Sequence, residues 1–179
     1  MNKNLNNAAI AGIVAAIFFI PAAIFEYLRE ADKLTGNLFP VYVLITIISL
    51  GSYLYFMWGF KIIADKTKNK LLGISTYLVI IATIVTYATI FLPQNDSTLT
   101  QIIFGVVIFI LFGALSIPFG IGLLRLKKEF GALATATGVL NIIGGISFIT
   151  VFLFFIGLLI MVPLIVLEIM LMFKASKKL

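Results

Sequence analysis

The stretch GALATATGVLNIIGGISFITVFLFFIGLLIMVPLIVLEIMLMF, residues 131–173, decides the fold. It runs for 43 residues without a charge other than Glu168, and as one helix it would measure ~65 Å, about twice the hydrocarbon thickness of a bilayer. It must therefore turn back on itself. The turn is expected near Thr150 to Phe154, with the Gly144-Gly145 pair as the rival position.

Upstream of this stretch lie four more apolar runs, at about 8–28, 39–64, 71–92 and 98–124, each long enough to cross the membrane. With the hairpin, whose arms are about 131–150 and 154–173, the total is six. The first run is too long for a signal peptide and lacks a clear small-x-small cleavage site, so it reads as a span.

Basic residues separate five spans from six. With six, Lys3, Lys61, Lys66, Lys68, Lys70, Arg125, Lys127, Lys128, Lys174, Lys177 and Lys178 fall on one side, and only Arg29 and Lys33 on the other. That 11 to 2 division follows the positive-inside rule, whereas five spans would give 8 to 5. The expected fold is all-α: a polytopic membrane helix bundle in one domain, 1–179, with both termini cytoplasmic. Basic segments before the odd-numbered spans suggest three consecutive helical hairpins, and Gly59 to Lys66 resembles Gly120 to Lys127 at a spacing of 61 residues.

Composition agrees with lipid as the solvent. Apolar residues are 62% and charged residues 11% of the 179-residue chain, against about 45–50% and 25% in soluble domains. The net charge of +6 lies in short clusters beside apolar runs. Such clusters suit anionic lipid head groups rather than nucleic acid, which needs a basic face on a water-exposed surface. The chain contains neither cysteine nor histidine, which removes thiolate chemistry and the commonest metal ligand and general base. No phosphate-binding glycine loop, paired catalytic carboxylates, serine-triad pattern or metal-ligand cluster appears. The expectation is therefore no catalytic residue, no metal and no cofactor.

Polar residues within the spans are few. Glu168 stands about five residues from the inner end of the last span, in the context Pro163-Leu-Ile-Val-Leu-Glu168. Intramembrane carboxylates face the bundle interior and mark proton or ion sites, or else they pair with a cation. Lys61 and Arg125, near the inner ends of spans two and four, are the expected ion-pair partners. Asn141 lies near mid-membrane beside Thr137, and its amide needs a partner on another helix. Glu168, Asn141 and Thr137 thus form the candidate intramembrane polar site. Glu26 pairs with Arg29 at the outer surface, one helical turn away.

Small residues suit close helix packing: Ala8, Gly12 and Ala16 in span one, and Ala134, Gly138, Thr137, Asn141 and Gly145 in span five. Pro21, Pro118 and Pro163 fall inside spans, where kinks are common. Asn95-Asp96-Ser97 matches the N-glycosylation pattern in an expected outer loop.

The leading functional expectation is a non-enzymatic multi-pass protein of the cell membrane, an accessory or assembly subunit whose partner is another membrane protein or a second copy. Its rival is a small-solute or ion transporter or channel using Glu168 and Asn141. An intramembrane enzyme acting on lipid ranks last, because histidine, cysteine and a carboxylate pair are all missing.

Overall fold

A computed structural model describes residues 2–31, 33–90, 98–150 and 152–179. The Asn95-Asp96-Ser97 pattern lies outside the described residues. The chain is all-helical: α1 Lys3–Glu30, α2 Phe39–Lys66, α3 Lys70–Ile90, α4 Thr98–Leu124, α5 Lys127–Phe130, α6 Ala132–Ile149 and α7 Phe154–Lys178. Six of these helices, all but α5, are long and apolar enough to cross a membrane.

The long apolar stretch is divided between α6 and α7, and Gly144 and Gly145 lie inside α6. Helix ends reach beyond the apolar runs because polar groups cap them. The Asn2 side chain accepts from the backbone N–H groups of Asn4 and Leu5, so α1 starts at Lys3. At the other end of the chain, Lys174 Nζ donates to the Phe130 carbonyl at 2.8 Å, and Lys178 donates to that of Glu129. These bonds tie the last turn of α7 to α5. Gly131 ends α5 and opens α6 at φ 67° and ψ −142°, a conformation that is nearly exclusive to glycine.

Neighbouring helices run antiparallel and close a ring: α1 packs on α2, α2 on α3, α3 on α4, α4 on α6, α6 on α7, and α7 returns to α1. Both chain ends meet at one end of this ring, where the Asn2 N–H donates to the Ser176 carbonyl at 2.6 Å and Lys66 Nζ to that of Leu179 at 2.7 Å. Eleven of the 13 basic residues lie at or near this basic end.

The closest approach is between α4 and α6. A Cβ on Gly113 would sit 2.7 Å from the Gly145 carbonyl oxygen, and one on Gly120 would sit 2.7 Å from that of Gly138. Each pair is spaced seven residues apart on its helix, so two turns of backbone pack directly on backbone, the contact that small residues permit between helices in lipid.

The ring's interior changes character along its axis. Toward the basic end it is apolar and tight, with Leu5, Phe56, Phe60, Ile63, Leu123, Phe130, Leu171 and Met172 all buried. Phe60 crosses the ring to meet Phe119 edge-on, with ring centroids 5.2 Å apart. In the other half of α2, the buried residues are Tyr42, Thr46 and Ser49. The outer surface is the reverse: Ile17, Ile20, Leu44, Ile47, Phe155 and Leu159 all point outward. Such a surface is unfavourable in water and neutral against lipid chains.

Candidate functional site

Asn141 occupies the middle of α6 and is 4% exposed. Its Nδ2 donates to the Thr137 carbonyl at 3.1 Å and to Glu168 Oε1 at 2.9 Å. The expected partner on another helix is therefore Glu168 of α7. Room for the asparagine comes from α4, because a Cβ on Gly120 would sit 3.0 Å from that of Asn141. Thr137 contributes its carbonyl rather than its hydroxyl, which donates to Leu133 O at 2.7 Å.

Glu168 is half-buried and shares the inward face of α7 with Leu171, Met172 and Ala175, one and two turns on. It lies deeper in the bundle than its sequence context suggests, since α7 continues to Lys178 and the carboxylate meets the midpoint of α6. Lys61 and Arg125 are not its partners. Lys61 pairs with Asp65 one turn along α2, and its ammonium stands 5.2 Å over the Tyr77 ring. Arg125 is exposed and lines a crevice of about 340 Å³ with Lys68, Asn69, Lys70 and Glu129. Both cations sit near helix ends, and Lys61 is satisfied there by Asp65 and the Tyr77 ring, while α7 turns Glu168 inward. Among the described residues, no cation forms an ion pair with Glu168.

Further hydroxyls face the same region. Tyr53 on α2 feels the charge of Glu168, and beside it on α3 stand Thr83 and Tyr87. Thr83 Oγ1 lies near the Tyr53 hydroxyl, yet it is buried and makes no hydrogen bond of normal geometry. From its place within an apolar run, Tyr53 reads as a deep tyrosine whose hydroxyl needs a partner inside the bundle, and Thr83 carries no signal in sequence.

At the end of the ring opposite the basic one, Glu26 pairs with Arg29 and also accepts from the Tyr42 hydroxyl at 2.6 Å. The tyrosine links α1 to α2 there. Tyr77, by contrast, lies outward, edge-on to Trp58 at 6.1 Å between centroids.

No protein-family model, curated protein or solved structure matches the chain.

Proposed function

We propose that the chain is a multi-pass integral protein of the cell membrane, with both termini cytoplasmic, and that it is a non-enzymatic transporter or channel for a small solute or ion, with Glu168 and Asn141 as its intramembrane site. The excess of lysine and arginine at the end shared by the two termini supports the orientation. The same basic end suits anionic lipid head groups.

One observation carries the transport reading: Glu168 lies within the ring with an amide as its hydrogen-bond partner and, among the described residues, no cation paired to it. A carboxylate near the centre of a membrane helix costs about 2.5–3.5 kcal/mol on translocon scales. A hydrogen bond to a charged group returns about 1.5–3 kcal/mol. The arrangement roughly breaks even, so stability gives little reason for a carboxylate there where a leucine would serve. A carboxylate without a fixed counter-charge is suited to take and release a cation or a proton.

The test is flux through proteoliposomes of the full chain under an imposed ion gradient without added ionophore, with proton, sodium and potassium supplied in turn. We expect one of these ions to move faster than in empty liposomes, and Glu168→Gln to abolish the difference. Equal flux in wild type, Glu168→Gln and empty liposomes overturns the reading. The accessory-subunit expectation, with another membrane protein or a second copy as partner, then becomes the better account.

A further inference from the structure

Four of the hydroxyl side chains of α2 lie on one face of the helix. Tyr42, Thr46, Ser49 and Tyr53 follow one another at intervals of four, three and four residues, the period of one helical stripe, and cover ~16 Å along the axis. Tyr42, Thr46 and Ser49 are 2%, 3% and 4% exposed, although the neighbouring Leu44 and Ile47 face outward. The stripe begins at Glu26, which accepts from Tyr42, and ends where Tyr53 approaches Glu168.

These hydroxyls differ from the others in the bundle. Ser75, Thr76, Ser116, Thr137 and Ser147 each donate to the carbonyl four residues back on their own helix, at 2.7–2.9 Å. That bond satisfies a hydroxyl in an apolar setting and leaves nothing for a ligand. Thr46 and Ser49 make no such bond among the described residues. The Thr46 hydroxyl is turned toward Tyr42 instead. Thr83, 3% exposed and beside Tyr53, makes no hydrogen bond of normal geometry among the described residues. Buried polar groups in native structures nearly always find partners, from protein, water or ligand. A row of hydroxyls with spare capacity, joining two carboxylates, is the lining of a path for something hydrated or cationic.

The path ends abruptly. Three residues past Tyr53 on the same face, Phe56 packs edge-on against Phe60, and Phe60 against Phe119 of α4. Leu123, Leu171 and Met172 fill the space around them, all fully buried. No group in that layer solvates an ion.

We propose that a small cation reaches Glu168 from the Glu26 end alone, along the hydroxyls of Tyr42, Thr46, Ser49 and Tyr53, and that the Phe56, Phe60 and Phe119 layer closes the path toward the basic end. This rests on the reading of Glu168 as a transport site and adds to it the sign of the substrate and the side from which it enters. The sign follows from the lining: carboxylates at both ends, hydroxyls and tyrosine rings between them, and a guanidinium only at the mouth, where Arg29 is paired with Glu26.

The chain has no native cysteine, so single substitutions report cleanly. Thr46→Cys and Ser49→Cys test the path, and Ile63→Cys tests the same face beyond the aromatic layer. Gly36→Cys and Lys177→Cys mark the two ends of the bundle in proteoliposomes of the full chain. Silver ion, close in size to sodium, and the dicyanoaurate anion are the probes, and each thiol is read by its protection from later alkylation. We expect silver added on the Gly36 side to protect residues 46 and 49 but not 63. Dicyanoaurate should react at least about tenfold more slowly, as a path of one charge sign disfavours the like-charged probe.

Protection of residues 46 and 49 only from the Lys177 side overturns the proposal. So does equal reactivity toward the two probes, or no protection while Gly36→Cys reacts. The outcomes also separate from those of the transport reading. Cation-selective protection from the Gly36 side, combined with flux unchanged by Glu168→Gln, keeps the path and removes the transport role. Loss of flux in Glu168→Gln, with residues 46 and 49 unreactive, does the opposite.

Discussion

Gly120 of α4 and Gly138 of α6 face each other so closely that a Cβ on either would lie 2.7 Å from the other's carbonyl oxygen. The obstacle is backbone, which cannot rotate aside as a side chain can. Gly138→Ala should therefore push α6 away from α4 and cost about 1–3 kcal/mol, the usual range for overpacking. Thermal unfolding in detergent would measure it, and an unchanged midpoint would mean that the two helices are less tightly apposed. Gly120→Ala should cost at least as much, because its Cβ also meets Asn141.

Asn141→Ala removes the amide that holds Glu168 and leaves the carboxylate without its hydrogen bond. A loss of about 1.5–3 kcal/mol is expected. Glu168→Leu should recover much of it in the Asn141→Ala background, since the group to be satisfied is then gone. A double-mutant cycle on unfolding free energies reads the coupling, and additive effects would rule out a direct bond.

Gly131 joins α5 to α6 at φ 67° and ψ −142°. Gly131→Val forces a branched side chain into a region almost confined to glycine and should cost about 1–3 kcal/mol. The expected symptom is local. Trypsin should cut more readily at Lys127 and Lys128, beside the strained turn, while the helix content measured by circular dichroism stays nearly constant.

Tyr42→Phe removes only the hydroxyl that Glu26 accepts. The expected loss is about 0.5–1.5 kcal/mol, the net worth of one hydrogen bond. Because Glu26 keeps its pair with Arg29, Glu26→Gln should cost more than Tyr42→Phe. If Tyr42→Phe proves the costlier of the two, the tyrosine ring matters there through packing against Phe25, whose centroid is 6.4 Å away.

Much of the site was legible in pieces. Asn141 needed a partner on another helix, Glu168 needed to face inward, and Tyr53 needed company. Their combination was not legible, because Asn141 and Glu168 lie 27 residues apart across a turn with no charge to mark it. Depth alone suggested Lys61 and Arg125 as partners for Glu168. Rotation of α7 about its own axis decides otherwise, and no periodic signal in a helix apolar on all sides reveals it. The hydroxyls of Tyr42, Thr46, Ser49 and Tyr53 do form a helical stripe in the sequence. They read as ordinary polar residues of an apolar helix until burial, and for Thr46 and Ser49 the missing back-bond, set them apart. The α5 turn escaped notice because four residues make no apolar period.

The chain's sequence alone determined that six helices would be long and apolar enough for a bilayer, since length, hydropathy and the gathering of lysine and arginine follow directly from covalent order. Only the tertiary structure decided which faces of those helices turn inward. That choice depends on how side chains on different helices fit: Gly113 and Gly120 against Gly145 and Gly138, Phe60 against Phe119, Asn141 against Glu168. Lipid treats every apolar face alike, so close packing and the need to satisfy buried polar groups, rather than escape from the solvent, set the rotation of each helix.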